Sequence, residues 1–369
     1  MTLTEIKIGQ EVIEDKSLYD IYIDYQDKVE EQYGKKTIVL YQVGDFYEMY
    51  GFDLPNYQKI NHLRNVLKVI NYTETRKNKS NEHSLKNPIM TGFPIYNIER
   101  NIELLIDAGY TVINISQIGN SVEFNKSKLR KVVDIISPST YINSTNNSNI
   151  LLAIYLTEFK GRLCASLSYC DIIQGNNTIY EINDNENSED IIYKTINILE
   201  PKEIIIVSRL NNIDVNKLII DLEISKYNYR LVEYNDNYNK ISCQEHILSN
   251  IFKNSTNLNI FEYLDIELLS DSRMIYIYLL KFLEEHNCNI LNNINKPIIY
   301  KSKDYIQLDR DTIYRLNLIY NDNNETKYSL LNILDNTITA IGKRKFRSNL
   351  LQPIIDTNEL NRRYNLIEY

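Results

Sequence analysis

Apolar and polar positions along the first 140 residues alternate between two periods. Ser17 to Tyr33 is polar and spaced like a helix, whereas Thr37 to Val43 is an unbroken β-branched and aromatic run, as a buried strand should be. Asn56 to Ile70 returns to the helical period, with Ile60, Leu63, Leu67 and Ile70 on one face. Residues 71–87 are polar, charged and without period, so a flexible loop is expected there. Ile98 to Ala108 is amphipathic, Tyr110 to Ile115 reads as a strand, and the module is expected to close near Ile136. Strands mixed with helices predict a mixed α/β module over 1–140, followed by an Asn- and Ser-rich linker from Tyr141 to Asn149.

A second α/β module is expected over 150–265. Leu151–Tyr155, Leu163–Tyr169 and Thr178–Ile182 read as sequential strands, joined by turns containing Lys160-Gly161 and Gly175-Asn176-Asn177. A helix from Ser188 to Leu199, then Pro201 and the apolar strand Ile204–Val207, complete its legible part. From about Ser270 the pattern turns helical. Met274, Ile275, Ile277, Tyr278, Leu279, Leu280, Phe282 and Leu283 are apolar almost all round, which predicts a helix buried within a larger α-helical assembly. Leu316, Ile319 and Tyr320, then Leu330, Leu331, Ile333 and Leu334, call for partner helices beyond Tyr369, so 270–369 reads as an incomplete α-helical region. The fold class is therefore multidomain, α/β plus α.

Composition narrows the setting. A chain of 369 residues exceeds the usual single core, which agrees with two to three domains. Cys164, Cys170, Cys243 and Cys288 are scattered, without a Cys-x-x-Cys or histidines at ligand spacing, and read as small buried residues in a reducing compartment. The N-terminus is polar and acidic, and no apolar run approaches the ~18 residues of a membrane span, so an intracellular protein without signal peptide or membrane partner is expected. A net charge of −8 runs against binding nucleic acid, whose phosphates attract Lys and Arg. The basic residues are nevertheless clustered: Arg64, Lys68, Arg76, Lys77, Lys79 and Lys86; then Lys126, Lys128, Arg130 and Lys131; then Lys343, Arg344, Lys345 and Arg347. Any of these runs can be a solvated face.

The stretch with most chemistry is Thr37–Tyr50. Gly44 supplies the backbone freedom for a sharp exit from the strand, and Phe46 and Glu48 follow at a turn or helix start. From the residues alone two readings stand. An exposed aromatic can wedge between base pairs from the minor groove while the carboxylate bonds a base edge. Alternatively Phe46, Tyr47, Met49 and Tyr50 pack under the strand, and Glu48 is solvated where a helix start favours its charge.

Gly44-Asp-Phe-Tyr-Glu48 after an aliphatic and aromatic strand resembles the mismatch-reading motif of the MutS family of DNA mismatch repair proteins. Pro88-Ile-Met-Thr-Gly92-Phe-Pro94 and Arg130-Lys-Val-Val-Asp-Ile-Ile-Ser-Pro138-Ser-Thr140 are similar to later parts of its mismatch-binding domain. Tyr305-Ile-Gln-Leu-Asp309 and Leu330-Leu-Asn-Ile-Leu-Asp335, through Gly342 to Leu351-Gln-Pro353, are similar to the opening of its lever domain. Where the family commonly has Cys-Glu-Gln, this chain has Ile115-Ser116-Gln117, and Gly51 and Pro55 interrupt the helix expected after Glu48.

The resemblance implies a mismatch-binding domain over 1–140, a ribonuclease-H-like connector over 150–265 and a truncated lever over 270–369. It assigns stacking at the mismatch to Phe46 and contact with a mispaired base to Glu48, which beside phosphates would protonate more readily and donate to a base nitrogen. The first basic cluster then reads as backbone contacts that position the reader. For the connector, a two-metal nuclease site at Asp171, Glu203 and Asp221 stands against a relay surface for partner proteins, and the relay is the better reading. The expected partners are double-stranded DNA with mismatches or small loops, a second MutS-like chain and downstream repair proteins. No Gly-x-x-x-x-Gly-Lys-Ser/Thr loop occurs in the chain, so this chain alone is expected to be no enzyme and to carry no cofactor. ATP and Mg are expected only in a C-terminal ATPase domain outside it. The alternative is a noncatalytic, truncated interaction protein that pairs with a longer relative.

Overall fold

The structure, a computed structural model, describes residues 18–54, 57–58, 60–84, 87–117, 130–142, 149–182, 187–253, 256–319 and 328–368. It forms two compact units, Met1–Tyr141 with Leu283–Cys288, and Ile142–Phe282 with Asn289–Tyr369.

The first unit runs α1 (Leu18–Tyr33), β1 (Thr37–Val43), β2 (Phe46–Gly51), the short pair β3 (Asp53–Leu54) and β4 (Tyr57–Gln58), α2 (Ile60–Ile70), β5 (Thr75–Arg76), β6 (Ile89–Pro94), α3 (Ile98–Asp107), β7 (Thr111–Gln117) and β8 (Arg130–Ile136). Six of its strands form one sheet in the order β5-β6-β2-β1-β7-β8, with β1 and β7 parallel and the other pairs antiparallel. Helices cover both faces. Ile38, Leu40, Tyr47 and Met49 pack with Leu63, Val66 and Leu105 of α2 and α3, whereas Val39, Tyr41 and Tyr50 pack with Tyr22 and Val29 of α1. A strand covered on both faces shows no alternation of polarity, which is why Thr37–Val43 reads as continuous. Gln26, buried on α1, donates to Thr37 O at 2.7 Å and accepts from Val39 N at 3.0 Å, so its amide is satisfied by β1 itself.

Two expectations are corrected here. Phe46 to Gly51 is a strand, not a turn or helix start: its period is two, with Tyr47 and Met49 on one face and Tyr50 on the other, and both faces are apolar enough to hide the alternation. Residues 71–84 are also more ordered than a flexible loop. The buried Asn87 amide donates to Asn78 O, Asn81 O and Glu82 O at 2.9–3.1 Å and accepts from Asn78 N at 3.0 Å, tying the turn to the start of β6.

The second unit contains β9 (Ile150–Phe159), β10 (Arg162–Asp171), β11 (Asn176–Glu181), α4 (Ser188–Leu199), β12 (Glu203–Arg209), α5 (Val215–Asp221), β13 (Asn228–Val232), α6 (Ile241–Ile251), α7 (Ile260–Tyr263), most of α8 (Ser270–His286) and of α9 (Cys288–Leu291), β14 (Ile298–Ile299), α10 (Arg310–Arg315), α11 (Leu330–Leu334), α12 (Ala340–Leu351) and α13 (Thr357–Ile367). Its sheet is ordered β13-β12-β9-β10-β11-β14, an antiparallel meander of β9 to β11 extended by strands that run parallel to their neighbours. Lys160 and Gly161, both with positive φ, form the tight turn between β9 and β10. Leu152, Ile154, Ile204 and Ile206 pack with Ile192 and Ile196 of α4 and Leu218 of α5.

The all-round apolar helix is α8, and it docks on this sheet rather than within a helical assembly. Tyr276 Oη donates to Asn177 Oδ1 of β11 at 2.7 Å, and Tyr278 Oη donates to Glu233 O at 3.3 Å. Strands as apolar as Ile204–Val207 need cover on a second face, and α8 answers that need. In the C-terminal part, Ile313, Leu318, Ile319, Leu331 and Leu351 form a small core against Ile198 of α4. Leu316, Leu330, Ile333 and Leu334 stay exposed, and Tyr320 lies outside the described residues. Of the cysteines, Cys170 is buried, which with Asp171 pushes its thiol up to about 12, whereas Cys164 and Cys243 are only half-buried. Among the described residues no helix is long and apolar enough to cross a membrane.

Candidate nucleic-acid interface

The Gly44–Glu48 motif folds as the tip of the β1–β2 hairpin. Val43 pairs with Phe46 across a two-residue turn in which Gly44 has φ +62°, a conformation open to glycine at little cost. The turn is tied from below by polar side chains. Gln42 Nε2 donates to Gly44 O at 3.0 Å, and Gln42 Oε1 accepts from Gln117 N at 2.8 Å. With its amide oriented to satisfy both ends, Gln117 accepts from Gly44 N at 3.2 Å and Arg130 Nη2 at 3.0 Å. Arg130 Nε donates to Gln42 O at 2.8 Å, and its guanidinium lies 4.7 Å over the Tyr41 ring. The end of β7, which departs from the family pattern at Ile115-Ser116-Gln117, therefore braces the hairpin. Ser116 Oγ meets Tyr47 Oη at 2.7 Å, and Gln117 holds the turn.

Alternation along β2 sorts the motif. Tyr47 and Met49 enter the core, while Phe46, Glu48 and Tyr50 share the face that packs on α1. Exposure falls along that face from Phe46, 47% exposed, through half-buried Glu48 to buried Tyr50. Glu48 lies opposite Gly92 on β6, where a Cβ would come within 3.2 Å of Glu48 Cγ. The Tyr50 hydroxyl donates to Glu48 Oε2. Burial, with the facing Glu48 carboxylate, raises both Tyr50 and Tyr19 above the ordinary phenol range. Beside the hairpin, Ile95 N donates to Asp45 O at 3.1 Å, and the next residue, Tyr96, is 83% exposed. Sequence reasoning missed Tyr96, although an aromatic following Gly92-Phe93-Pro94 in the same motif segment was the available signal.

The basic candidates are not gathered around Phe46. Arg64 and Lys68 lie on α2, which covers the opposite face of the sheet, and Arg64 Nε pairs with Glu74 Oε2 at 2.8 Å. That pairing raises the guanidinium pKa and lowers that of Glu74. Arg76 pairs in register with Ile89 at the far end of β6, five positions or about 17 Å of strand from Pro94, the partner of Phe46. Lys77 and Lys79 are exposed in the turn that follows; Lys86, Lys126 and Lys128 lie outside the described residues. In the third run, Arg347 is committed to Glu200 at 2.9 Å. Of the carboxylates considered for a metal site, Glu203 pairs with Arg230 at 2.9 Å and Asp171 accepts from Ile173 N at 3.1 Å. Among the described residues no group of three or more His, Cys, Asp or Glu side chains is arranged to hold a metal ion.

Residues 24–145 match the sequence profile of MutS domain I, and residues 311–369 match that of MutS domain III. The chain belongs to the MutS family. It is 28% identical to a DNA mismatch repair protein mutS homolog of Acanthamoeba polyphaga mimivirus, over 96% of this chain and 34% of that protein. It is 30% identical to the DNA mismatch repair protein MutS of Halothermothrix orenii, over 90% of this chain and 35% of that protein. With the MutS of Thermodesulfovibrio yellowstonii the identity is 28%, over 92% of this chain and 36% of that protein. This MutS-family chain thus spans about a third of the length of the curated relatives it matches. The domain I match contains the whole β1–β2 hairpin and Tyr96.

Proposed function

We propose that this chain recognises mismatched DNA by inserting Phe46 from the minor groove, as part of a MutS-like mismatch repair protein. The observation that carries the reading is the division of labour along β2: Tyr47 and Met49 are spent on the core, while Phe46 is held half-exposed on a braced hairpin tip with Glu48 two positions behind it on the same face. A mispaired step stacks poorly and bends at lower cost, so a wedge that kinks the duplex gains more at a mismatch than at a paired step. Glu48 then contacts a base edge, while Arg76, Lys77 and Lys79, further along the sheet, meet phosphates and set the register. The strand order of the second unit supports a ribonuclease-H-like connector that relays to a second MutS-like chain and to downstream repair proteins. ATP and Mg belong, in this reading, to an ATPase region outside these residues.

The test is binding to mismatched and matched duplexes at one fixed salt concentration. Aromatic stacking on a base supplies roughly 1–3 kcal/mol, so Phe46→Ala is expected to lower mismatch preference about tenfold or more while matched-duplex affinity holds. Because Phe46 is half-exposed, the thermal midpoint should hardly move. Retained preference in Phe46→Ala would remove the wedge. The second reading, a noncatalytic chain that pairs with a longer relative, draws on the exposed Ile338, Ile341, Leu366 and Ile367 of the C-terminal part. It predicts no mismatch preference in the unsubstituted protein.

A further inference from the structure

We infer that Tyr50 is a positioning residue for Glu48: its hydroxyl occupies Oε2 and thereby makes Oε1 the one carboxyl oxygen offered to a base. The inference rests on the functional reading above and adds to it which atom does the reading.

The geometry behind it is a chain of supports. Tyr50 is 4% exposed, and its ring is clamped edge-on by Tyr22 at 5.0 Å and Tyr19 at 5.1 Å between centroids, both from α1. A ring held on two sides has little rotamer freedom, so its hydroxyl is a fixed donor rather than one shared with water. That donor meets Glu48 Oε2 on the same face of β2. Gly92 opposite leaves the Glu48 stem its space. Burial and the facing carboxylate raise the phenol above its ordinary range, so at neutral pH the hydroxyl is the donor. The consequence holds for either state of Glu48. Ionised, it accepts a base N–H at Oε1; neutral, with Oε2 already accepting, it carries its proton on Oε1 and donates to a base nitrogen. Without Tyr50 the carboxyl can rotate, present either oxygen and lose part of its power to tell one mismatch from another.

The test is a double-substitution cycle on the full chain, together with any continuation its gene encodes, using a set of single-base mismatches, a matched duplex and a duplex with 2-aminopurine beside the mismatch. Tyr50→Phe keeps the ring and removes the donor. It is expected to reduce mismatch preference about tenfold, the size of one hydrogen bond to a charged group, with matched-duplex affinity unchanged. The 2-aminopurine signal, which reports unstacking by Phe46, should persist. In a Glu48→Gln background Tyr50→Phe should then change preference by less than about twofold, because the carboxylate it positions is gone. Wild-type preference in Tyr50→Phe, with Glu48→Gln impaired, would overturn the positioning role. So would an equal loss from Tyr50→Phe in both backgrounds, which marks a general packing defect. Absence of any mismatch preference in the unsubstituted protein would instead overturn the functional reading and this inference with it.

Discussion

Adjacent residues on β2 have opposite fates, and the same logic of burial sets the protonation of single residues elsewhere. Tyr47 sits in the core against Phe93 and Met49, so truncating it to alanine should cost roughly 3–5 kcal/mol, whereas Phe46 can be truncated with little loss of fold. Glu181 at the end of β11 is the opposite case to a solvated carboxylate. Burial first, and the nearby Asp271 charge after it, raise its pKa above 4.5, and Asp271 is raised by its own burial. A carboxyl with a raised folded pKa holds its proton better in the folded state. Its favourable contribution is therefore complete below the unfolded pKa and is lost as pH rises through 4.5 toward the folded value. Ionising Glu181 therefore costs the fold the desolvation of a partly buried carboxylate beside a second one. Glu181→Gln, which keeps the side chain's shape and removes its charge, is expected to raise the thermal midpoint of the protein at about pH 7 and to have a smaller effect at about pH 4. Equal effects at both pH values would show that ionisation is not what Glu181 costs the fold.

At the level of elements, the hairpin depends on what its neighbours lack as much as on what they provide. Gly92 faces Glu48 across β2 and β6, and an added Cβ would sit 3.1 Å from Tyr47 O and 3.2 Å from Glu48 Cγ. The backbone oxygen cannot yield, so the Glu48 stem must. Gly92→Ala is expected to preserve matched-duplex binding and the Phe46-dependent signal while lowering mismatch preference in the manner of Glu48→Gln; unaltered preference would mean that the stem has room to spare. How much of this is readable before the fold depends on which faces are covered. The strand at Thr37–Val43, the helix near 60–70 and the meander of the second unit are legible, because apolar runs and helical spacing survive burial on either one or two faces. The strand nature of Phe46–Gly51 is hidden since both its faces are aromatic or aliphatic, and α8 looks like a bundle helix because a sheet on one side is indistinguishable, in sequence, from helices there. Phe46 and Glu48 can be singled out by motif. Tyr50 cannot, because a core tyrosine and one that donates to the Glu48 carboxylate have the same pattern until the alternation of β2 is known.

For the whole molecule, the net charge of −8 opposes phosphate binding, so it matters which cations already have a carboxylate or carbonyl partner. Arg64 is paired with Glu74, Arg130 braces the hairpin turn and Arg347 is tied to Glu200, so each would have to break an existing contact before meeting a phosphate. Lys77 and Lys79, exposed in the turn tied down by Asn87, have no such commitment in the bonds that order that turn. Every phosphate neutralised adds about 0.9 to the slope of log affinity against log salt. The slope for the wild-type chain should therefore be shallow, and Lys77→Ala and Lys79→Ala should each reduce it by about one while weakening matched and mismatched duplexes equally, since phosphate contacts carry no information about the base step. Arg64→Ala should change it less, because the lost guanidinium is already neutralised by its partner. A salt titration of all three variants separates the possibilities. If the lysine variants leave the slope untouched, that turn is a solvated face, and the wedge must find its register from contacts made elsewhere; if Arg64→Ala lowers it as much as they do, the Glu74 pairing opens on DNA, and the ion pair is a latch that the duplex releases.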